Sequence, residues 1–288
     1  MFSYIKNNIK VIIGIFSSTA TMLLSLLTIL LTFVSWEDMG FSEICSRLII
    51  LSCILALSAV FAVIAFLVKQ SNDIWAQGTG KIRAIYGDII RKAFPNRKSK
   101  ERIVVIPVNT CFDTHVGDGL VSANTIHGKW ILTLESKGIH KPELDAKINQ
   151  AINTLRIMPS ITYSQADKPL GKREQYPLGT VIPLDGKNGV TYFLLALSEF
   201  DQNLNAQCSK EDFIKCVQSL ISFYDQYGQG NPIFLPLMGT GLSRVNISQE
   251  ESLSLLINLL KLNHSKIHGE VNIVVYNKEK DKVSIHNI

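Results

Sequence analysis

Charged residues and cysteines are both scarce in this sequence. Lysine, arginine, aspartate and glutamate make up 18% of its 288 residues, whereas 47% of the residues are hydrophobic. A chain this apolar is not an intrinsically disordered protein, which needs low hydrophobicity and high charge. The five cysteines are odd in number and none are closely spaced. A disulfide scaffold is therefore excluded, and we expect reduced thiols.

Several motifs of nucleotide, metal and hydrolytic chemistry are also missing. The chain has no GxGxxG opening a helix, no GxxxxGK[ST], no HExxH and no GxSxG. Its six histidines are scattered, and none pairs with a cysteine at the spacing of zinc ligands. We therefore predict no metal site, no bound cofactor and no catalytic residue.

What the sequence does contain is two long runs without a charged residue, 11–34 and 48–68. Each is long enough for a helix that crosses a hydrocarbon core of about 30 Å. With the short loop between them, they predict a transmembrane hairpin over residues 1–70. Lysines flank both outer ends of the hairpin. The positive-inside rule therefore predicts a multi-pass protein whose N-terminus and C-terminal domain are cytoplasmic.

The first apolar run carries a regular row of hydroxyl side chains, which we call the hydroxyl seam. Its members, at spacings of 3, 4, 3 and 4, are Ser18, Thr21, Ser25, Thr28 and Thr32. This spacing places all five on one face of a helix. Two interpretations stay open: the seam packs against the second helix, or it lines a pore or an oligomer contact.

The basic charge of the chain is concentrated directly after the hairpin. Residues 71–102 carry a net charge of +5, whereas residues 103–288 carry −1. We interpret 71–102 as a basic juxtamembrane linker and the start of a domain, in contact with the anionic lipids of the inner leaflet. Nucleic-acid binding is disfavoured because basic and aromatic residues do not alternate along a strand face.

Residues 103–288 alternate between strand and helix patterns. The predicted strands are 102–108, 129–134, 180–184, 191–198, 232–237 and 270–276. The predicted helices are 143–157, 210–227 and 249–262. Alternation of this kind predicts an α/β fold, a three-layer α/β/α sandwich with a mixed sheet.

Polar loops with glycines follow three of these strands, at the edge where open α/β sheets bind ligands. Asn109 ends the first strand, and its amide can donate and accept hydrogen bonds toward ribose hydroxyls. Glycines in loops 116–121 and 239–244 let backbone N–H groups approach an anion. Tyr276 and Asn277 follow the last strand. Taken singly, each loop could be an ordinary turn.

The order of these loops resembles that of the macrodomain, a fold that binds ADP-ribose. The resemblance runs from about Tyr86 to the end of the chain. The Gly-Asp-Ile sequence at 87–89 is similar to the adenine-contacting motif of that family, which implies that Asp88 accepts from the adenine amino group. Asn109 would then face the distal ribose.

The remaining loops extend the resemblance. Residues 116–121 are similar to the glycine-rich first loop of the family, and 239–244 to its diphosphate loop. Tyr276 and Asn277 resemble its closing aromatic segment. The candidate ligand-binding residues are Asp88, Ile89, Asn109, Thr110, Asp113, Gly117, Asp118, Gly119, Leu120, Val121, Gly239, Thr240, Gly241, Leu242, Ser243, Arg244, Tyr276 and Asn277.

The first loop has fewer glycines than the family pattern. Cys111, Asp113, His115 and Asp118 lie where the family has glycines and a catalytic water. Asp113 and His115 could form an acid–base pair, which would make the protein a membrane-tethered ADP-ribosyl hydrolase. The other interpretation is a loop reshaped to recognise a substituent on the distal ribose, in a protein that is not an enzyme.

Two N-terminal spans before a divergent macro-like domain resemble the membrane-anchored macrodomain effectors of the bacterial Thoeris antiphage system. Segments 176–184 and 236–244 carry this narrower resemblance. It implies a bacterial inner-membrane protein that senses an ADP-ribose derivative, a histidine–ADP-ribose conjugate made by a TIR-domain enzyme. It further implies that the ligand drives homo-oligomerisation and membrane disruption. A holin-like structural membrane protein remains the other alternative.

Overall fold

The computed structural model divides the chain into two compact units. It describes residues 2–98, 100–200, 206–239 and 247–288. The first compact unit, which we call the hairpin unit, comprises Met1–Asn72 together with Ser284–Ile288. The second, the α/β unit, comprises Asp73–Val283.

The hairpin unit consists of a short helix and two long apolar ones. These are α1 (Phe2–Asn7), α2 (Ile9–Phe33) and α3 (Ile44–Val68). The two long helices have 25 residues each, and their length and composition would allow each to cross a membrane. The two apolar helices predicted from the sequence are therefore confirmed.

The hydroxyl seam lies on the outside of α2. Helix α2 buries Ile12 and Ala20, and α3 buries Ser58, Ala62 and Phe66. All five seam residues are exposed instead. The seam therefore does not form the contact between α2 and α3, and its role as a pore or oligomer surface stays a prediction.

Backbone carbonyls of helix α2 accept hydrogen bonds from three of the five seam hydroxyls. The hydroxyls of Ser18, Thr28 and Thr32 donate to carbonyls three or four residues earlier, at 2.6–3.0 Å. Such bonds to the preceding turn let a hydroxyl sit in an apolar environment without an outside partner. The seam can therefore face lipid without an outside hydrogen-bond partner.

The α/β unit is built from ten strands and five helices among the described residues. The strands are β1 (Ser71–Gln77), β2 (Gly80–Gly87), β3 (Arg102–Asn109), β4 (Ile161–Thr162), β5 (Glu174–Gln175), β6 (Val181–Asp185), β7 (Val190–Phe200), β8 (Ala206–Gln207), β9 (Ile233–Pro236) and β10 (Glu270–Tyr276). The helices are α4 (Ile89–Ala93), α5 (Ile126–Ser136), α6 (Lys141–Thr154), α7 (Lys210–Tyr227) and α8 (Gln249–Leu262). Short 3-10 turns cover His264–Lys266 and Asn277–Glu279.

The main sheet has the strand order β1-β2-β10-β9-β3-β7-β6, with β8 paired to β7. Strands β2, β10, β9, β3 and β7 run parallel to one another, whereas β6 and β8 run antiparallel to β7. The sheet is therefore mixed, as the sequence predicts. All five parallel strands end at one edge, and that edge positions the candidate site.

Alternate residues of β7 show how the helices cover both faces of the sheet. Tyr192 contacts Trp130 of α5, with ring centroids 5.4 Å apart, and the next residue, Phe193, contacts Phe223 of α7 at 5.0 Å. Successive side chains of a strand point to opposite faces. Helices α5 and α7 therefore lie on opposite sides, and the three-layer α/β/α sandwich is confirmed.

The sequence interpretation is wrong at 129–134, which was expected to be a strand. These residues belong to helix α5, which begins after Thr125, whose Oγ1 accepts a hydrogen bond from Gly128 N. Its buried residues His127, Trp130, Ile131 and Leu134 recur at helical spacing. The N-cap and this spacing outweigh the β-like Trp-Ile-Leu-Thr-Leu composition.

Residues 71–102 contain two strands and a helix that the sequence analysis did not separate from a linker. Strand β2 pairs with β10, so it lies inside the sheet. Asp73 pairs with Lys81 at 2.8 Å and with Arg83 at 2.6 Å, so part of the basic charge is balanced within the domain. Contact of this stretch with lipid stays a prediction.

Candidate functional site

A large cavity lies at the carboxyl edge of the parallel strands. Its volume is about 1080 Å³, slightly above the usual range for small-molecule sites, about 300–1,000 Å³. Four strands supply wall residues at or near their carboxyl ends: Asn109 of β3, Ser198 of β7, Pro236 of β9 and Tyr276 of β10. The cavity therefore occupies the position where sheets of this kind bind ligands.

The structure brings together eight of the eighteen residues predicted from the sequence. Those that line the cavity are Asp88, Ile89, Asn109, Gly119, Leu120, Val121, Gly239 and Tyr276. Five others lie outside its lining: Thr110, Asp113, Gly117, Asp118 and Asn277. The remaining five fall outside the described residues: Thr240, Gly241, Leu242, Ser243 and Arg244.

Asp88 caps a helix and lies in the wall of the cavity. It follows β2 and is the N-cap of α4, where its Oδ1 accepts a hydrogen bond from Ile90 N at 2.9 Å. This bond satisfies one of the free N–H groups of the helix start. Its role toward a ligand stays a prediction.

Asn109 ends β3 and is almost fully buried, with 5% of its surface exposed. Its Oδ1 accepts a hydrogen bond from Asp113 N at 3.1 Å. Because the amide oxygen accepts this bond, the rotation of the amide is fixed. The tight turn that follows places Phe112 at φ 51°, in the left-handed region where side chains are disfavoured.

The first glycine loop closes through a two-residue turn. Leu120 N donates to Gly117 O at 3.0 Å, and the central residues Asp118 and Gly119 have φ 48° and 82°. Positive φ at both central positions defines a type I′ turn, for which Asp-Gly is a preferred sequence. Gly117 N donates to Val121 O at 2.9 Å, so this N–H serves the loop itself.

The acidic residues of the first loop are engaged by other groups. The carboxylate of Asp113 is fully buried and pairs with Lys168 Nζ at 2.8 Å. His115 Nε2 lies 2.8 Å from Asp118 Oδ2 on the surface. The structure therefore does not pair Asp113 with His115 as an acid and a base. Burial raises the pKa of the Cys111 thiol to about 11, so this thiol is protonated at neutral pH.

The second glycine loop is described only at its start. Leu237 N donates to Val274 O at 3.1 Å, and Gly239 has φ 85°. The anion-binding role predicted for residues 240–244 falls outside the described residues. Across the cavity, Tyr276 is 41% exposed, so its ring is accessible to a ligand. Asn277 begins the 3-10 turn that follows.

Helix α5 forms a wall that the sequence analysis missed because 129–134 was interpreted as a strand. Asn124, Thr125, His127 and Lys129, from the first turn of α5 and the residues before it, line the cavity. The N-terminus of a helix offers free N–H groups and a positive dipole end to an anion. Thr125 as an N-cap, followed by apolar residues at helical spacing, is the signal that could have found it.

His127 is the most strongly perturbed base of this wall. Burial first, and the nearby Lys172 second, lower the pKa of its imidazole to about 3, while a hydrogen bond to the backbone of Asp113 opposes the shift. The imidazole is therefore neutral at physiological pH. Across the described parts of the chain, no group of three or more histidine, cysteine, aspartate or glutamate residues could hold a metal ion.

Comparison with known proteins agrees with this architecture. The family model "Thoeris protein ThsA, Macro domain" matches residues 82–276. The Thoeris protein ThsA of Bacillus amyloliquefaciens (strain Y2) is 25% identical over 278 residues, which cover 93% of this chain and 86% of that protein.

Two solved macrodomain structures of Oceanobacillus iheyensis are also similar. A mutant with ADPR has a TM-score of 0.48 and 15% identity, and covers 75% of this chain and 95% of its own. The macrodomain with ADP has a TM-score of 0.47 and 14% identity, with 76% and 95% covered. Because the ThsA model matches more than half of the residues, with two apolar helices before the matched region, this chain belongs to the Thoeris ThsA macro-domain family.

Proposed function

We propose that the α/β unit binds an ADP-ribose derivative in the cavity and that the protein is an effector of antiphage defence. The observation that carries the proposal is the convergence of Asp88, Asn109 and Tyr276 on one cavity from the ends of three different strands. Membership of the ThsA macro-domain family supports the same ligand class. The cavity volume of about 1080 Å³ leaves room for a dinucleotide-sized ligand.

The wall residues suggest how such a ligand lies. Asp88 provides a carboxylate oxygen for the adenine amino group, with Ile89 beside it and the exposed ring of Tyr276 available for stacking. Asn109 and the loop around Gly119 would hold the distal ribose. The diphosphate would lie between them, near the N-terminus of α5.

The chemistry of the site favours binding over hydrolysis. The Asp113 carboxylate is sealed in an ion pair, His127 is neutral and buried, and Cys111 is protonated. None of these groups offers a base at neutral pH with access to a substrate. We propose that the ligand is a signal and not a substrate. Release of ADP-ribose from an ADP-ribosylated protein by the chain would contradict this.

The transmembrane hairpin would disrupt the membrane after the ligand binds. We propose that a TIR-domain enzyme supplies the signal, a histidine–ADP-ribose conjugate, and that binding gathers several copies of the chain in the inner membrane. The seam supports this step because its five hydroxyls face away from α3. Association would replace lipid contacts with hydroxyl contacts between copies and disrupt the bilayer.

Binding is tested by titrating the full chain in lipid nanodiscs with ADP-ribose and with the histidine conjugate in a calorimeter. Asn109→Ala should weaken ADP-ribose binding by about tenfold or more, since a buried hydrogen-bonding group is lost. Asn153→Ala, at an exposed position of α6, is the matched control. Absence of heat with every ADP-ribose derivative would favour the holin-like alternative.

The membrane step is tested by replacing all five seam residues with alanine and measuring ligand-triggered depolarisation of vesicles that contain the protein. We expect depolarisation to be lost while ligand affinity is unchanged. Ser17→Ala with Thr19→Ala in the same helix, outside the seam, should leave depolarisation intact. Equal depolarisation by the seam variant and the wild type would refute the role of the seam.

A further inference from the structure

A segment between α6 and β6 packs against Asp113 and against Leu120 of the first glycine loop. This segment, residues 158–176, which we call the strap, contains the small β4–β5 pair. At Gly171 the strap approaches so closely that an added Cβ would lie 2.2 Å from Asp113 Oδ1 and 2.8 Å from Leu120 Cδ1. Leu120 lines the cavity, so the strap supports the cavity loop from behind.

A buried ion pair joins Lys168 of the strap to Asp113, in the turn before the first glycine loop. The side chains of Lys168 and Asp113 are 1% and 0% exposed, and Lys168 Nζ lies 2.8 Å from Asp113 Oδ2 and 3.1 Å from Oδ1. Lys172 N donates a further hydrogen bond to Asp113 Oδ1 at 2.6 Å. Two charges without water contact persist only when paired and hydrogen-bonded, so this pair holds one arrangement of the loop.

The ion pair reaches the cavity through two contacts. On one side, the backbone N–H of Asp113 holds Oδ1 of Asn109 at 3.1 Å, which fixes the amide in the cavity wall. On the other side, Lys168 Nζ lies 5.3 Å from the ring centroid of Phe200, a second wall residue. Lys168 therefore contacts Asp113, which holds Asn109, and it contacts Phe200 directly. It does not itself line the cavity.

We propose that Lys168 is a positioning residue for the distal-ribose end of the ligand, a role that rests on the proposed binding of ADP-ribose. Its ammonium fixes Asp113, and Asp113 fixes Asn109. Asp88, at the predicted adenine end, depends on neither contact, because its carboxylate is held by Ile90 N. Loss of the ion pair should therefore weaken contacts to the distal ribose and spare those to adenosine diphosphate.

The test compares ADP-ribose with ADP, which lacks the distal ribose, on the full chain in nanodiscs. Lys168→Met alone leaves a buried unpaired carboxylate, so it is combined with Asp113→Leu. The double variant should raise the Kd for ADP-ribose about tenfold and leave the Kd for ADP within about threefold. Arg173→Met removes a positive charge from an exposed position of the same strap and should change neither Kd.

The outcomes distinguish a failure of the positioning role of Lys168 from a failure of the proposed function. Equal weakening of both ligands, or of neither, by the double variant would overturn the positioning role of Lys168. A wild-type chain that binds neither ligand would instead overturn the proposed function, and this role with it. If the double variant unfolds, Lys168→Met with Asp113→Asn keeps an acceptor for Lys172 N, and the same split between ligands is expected.

Discussion

Gly171→Ala tests whether the strap and the first glycine loop are in the close contact that the structure shows. Gly171 has φ 76°, which a side chain adopts at a cost of about 1–2 kcal/mol. The new Cβ would also lie 2.2 Å from Asp113 Oδ1 and 2.8 Å from Leu120 Cδ1. Both neighbours are buried, so relief of the overlap should cost about 1–3 kcal/mol more.

Gly138→Ala is the matched control for this substitution. Gly138 has φ 85° and no atom within 4 Å of an added Cβ, so it carries the backbone cost alone. For a domain of this size, 1 kcal/mol corresponds to about 2–4 °C in Tm. We expect Gly171→Ala to lower the Tm by about 4–20 °C and Gly138→Ala by about 2–8 °C. Near-UV circular dichroism in detergent measures both.

One result would refute the close contact between the strap and Asp113. Equal Tm values for the two variants would mean that the strap moves aside freely and makes no tight contact with Asp113. In that case the buried ion pair would not restrict the loop. A lower Tm for Gly171→Ala together with weaker ADP-ribose binding would connect the contact to the site.

Two further substitutions separate stability from recognition in the wall. Asp88→Asn keeps an oxygen to cap Ile90 N but turns an NH₂ group toward the ligand, so the Tm should stay within about 2 °C while the ADP affinity measured by calorimetry falls; unchanged affinity would count against adenine recognition by Asp88. For His127, a folded pKa of about 3 against 6.5 unfolded means that stability is lost as pH falls from 6.5 toward 3, by up to about 1.4 kcal/mol per pH unit. His127→Gln should flatten the decline of Tm between pH 6.5 and 4, and a decline as steep as in the wild type would show that another group is responsible.

Several elements could be located from the sequence because their signals are local. Helices 210–227 and 249–262 and strand 270–276 have the predicted bounds. Helix α8 begins at a capping box formed by Ser248 and Glu251, and α7 begins at Ser209, whose side chain accepts a hydrogen bond from Asp212 N. Caps of this kind lie within four residues of one another, so they can be recognised without the fold.

Two segments were assigned wrongly or incompletely from the sequence, for different reasons. Residues 129–134 have the composition of a strand, but the Thr125 N-cap and the helical spacing of the buried residues Trp130, Ile131 and Leu134 make them a helix. Strand β2 was not separated from a basic linker because its charges, such as Arg83, are paired with Asp73 and with Glu270, 187 residues away. No local pattern announces such a partner.

The sequence by itself determined the two apolar helices, the alternation that makes a mixed three-layer sandwich, and the strand ends from which Asn109 and Tyr276 reach one cavity. These follow from hydrophobic periodicity and from the rule that parallel strands end at a common edge. Only the tertiary structure decided that the hydroxyl seam faces away from α3 and that Asp113 supports the site from outside its lining. Both depend on which surfaces meet, and the partner of Asp113 lies 55 residues away in the chain.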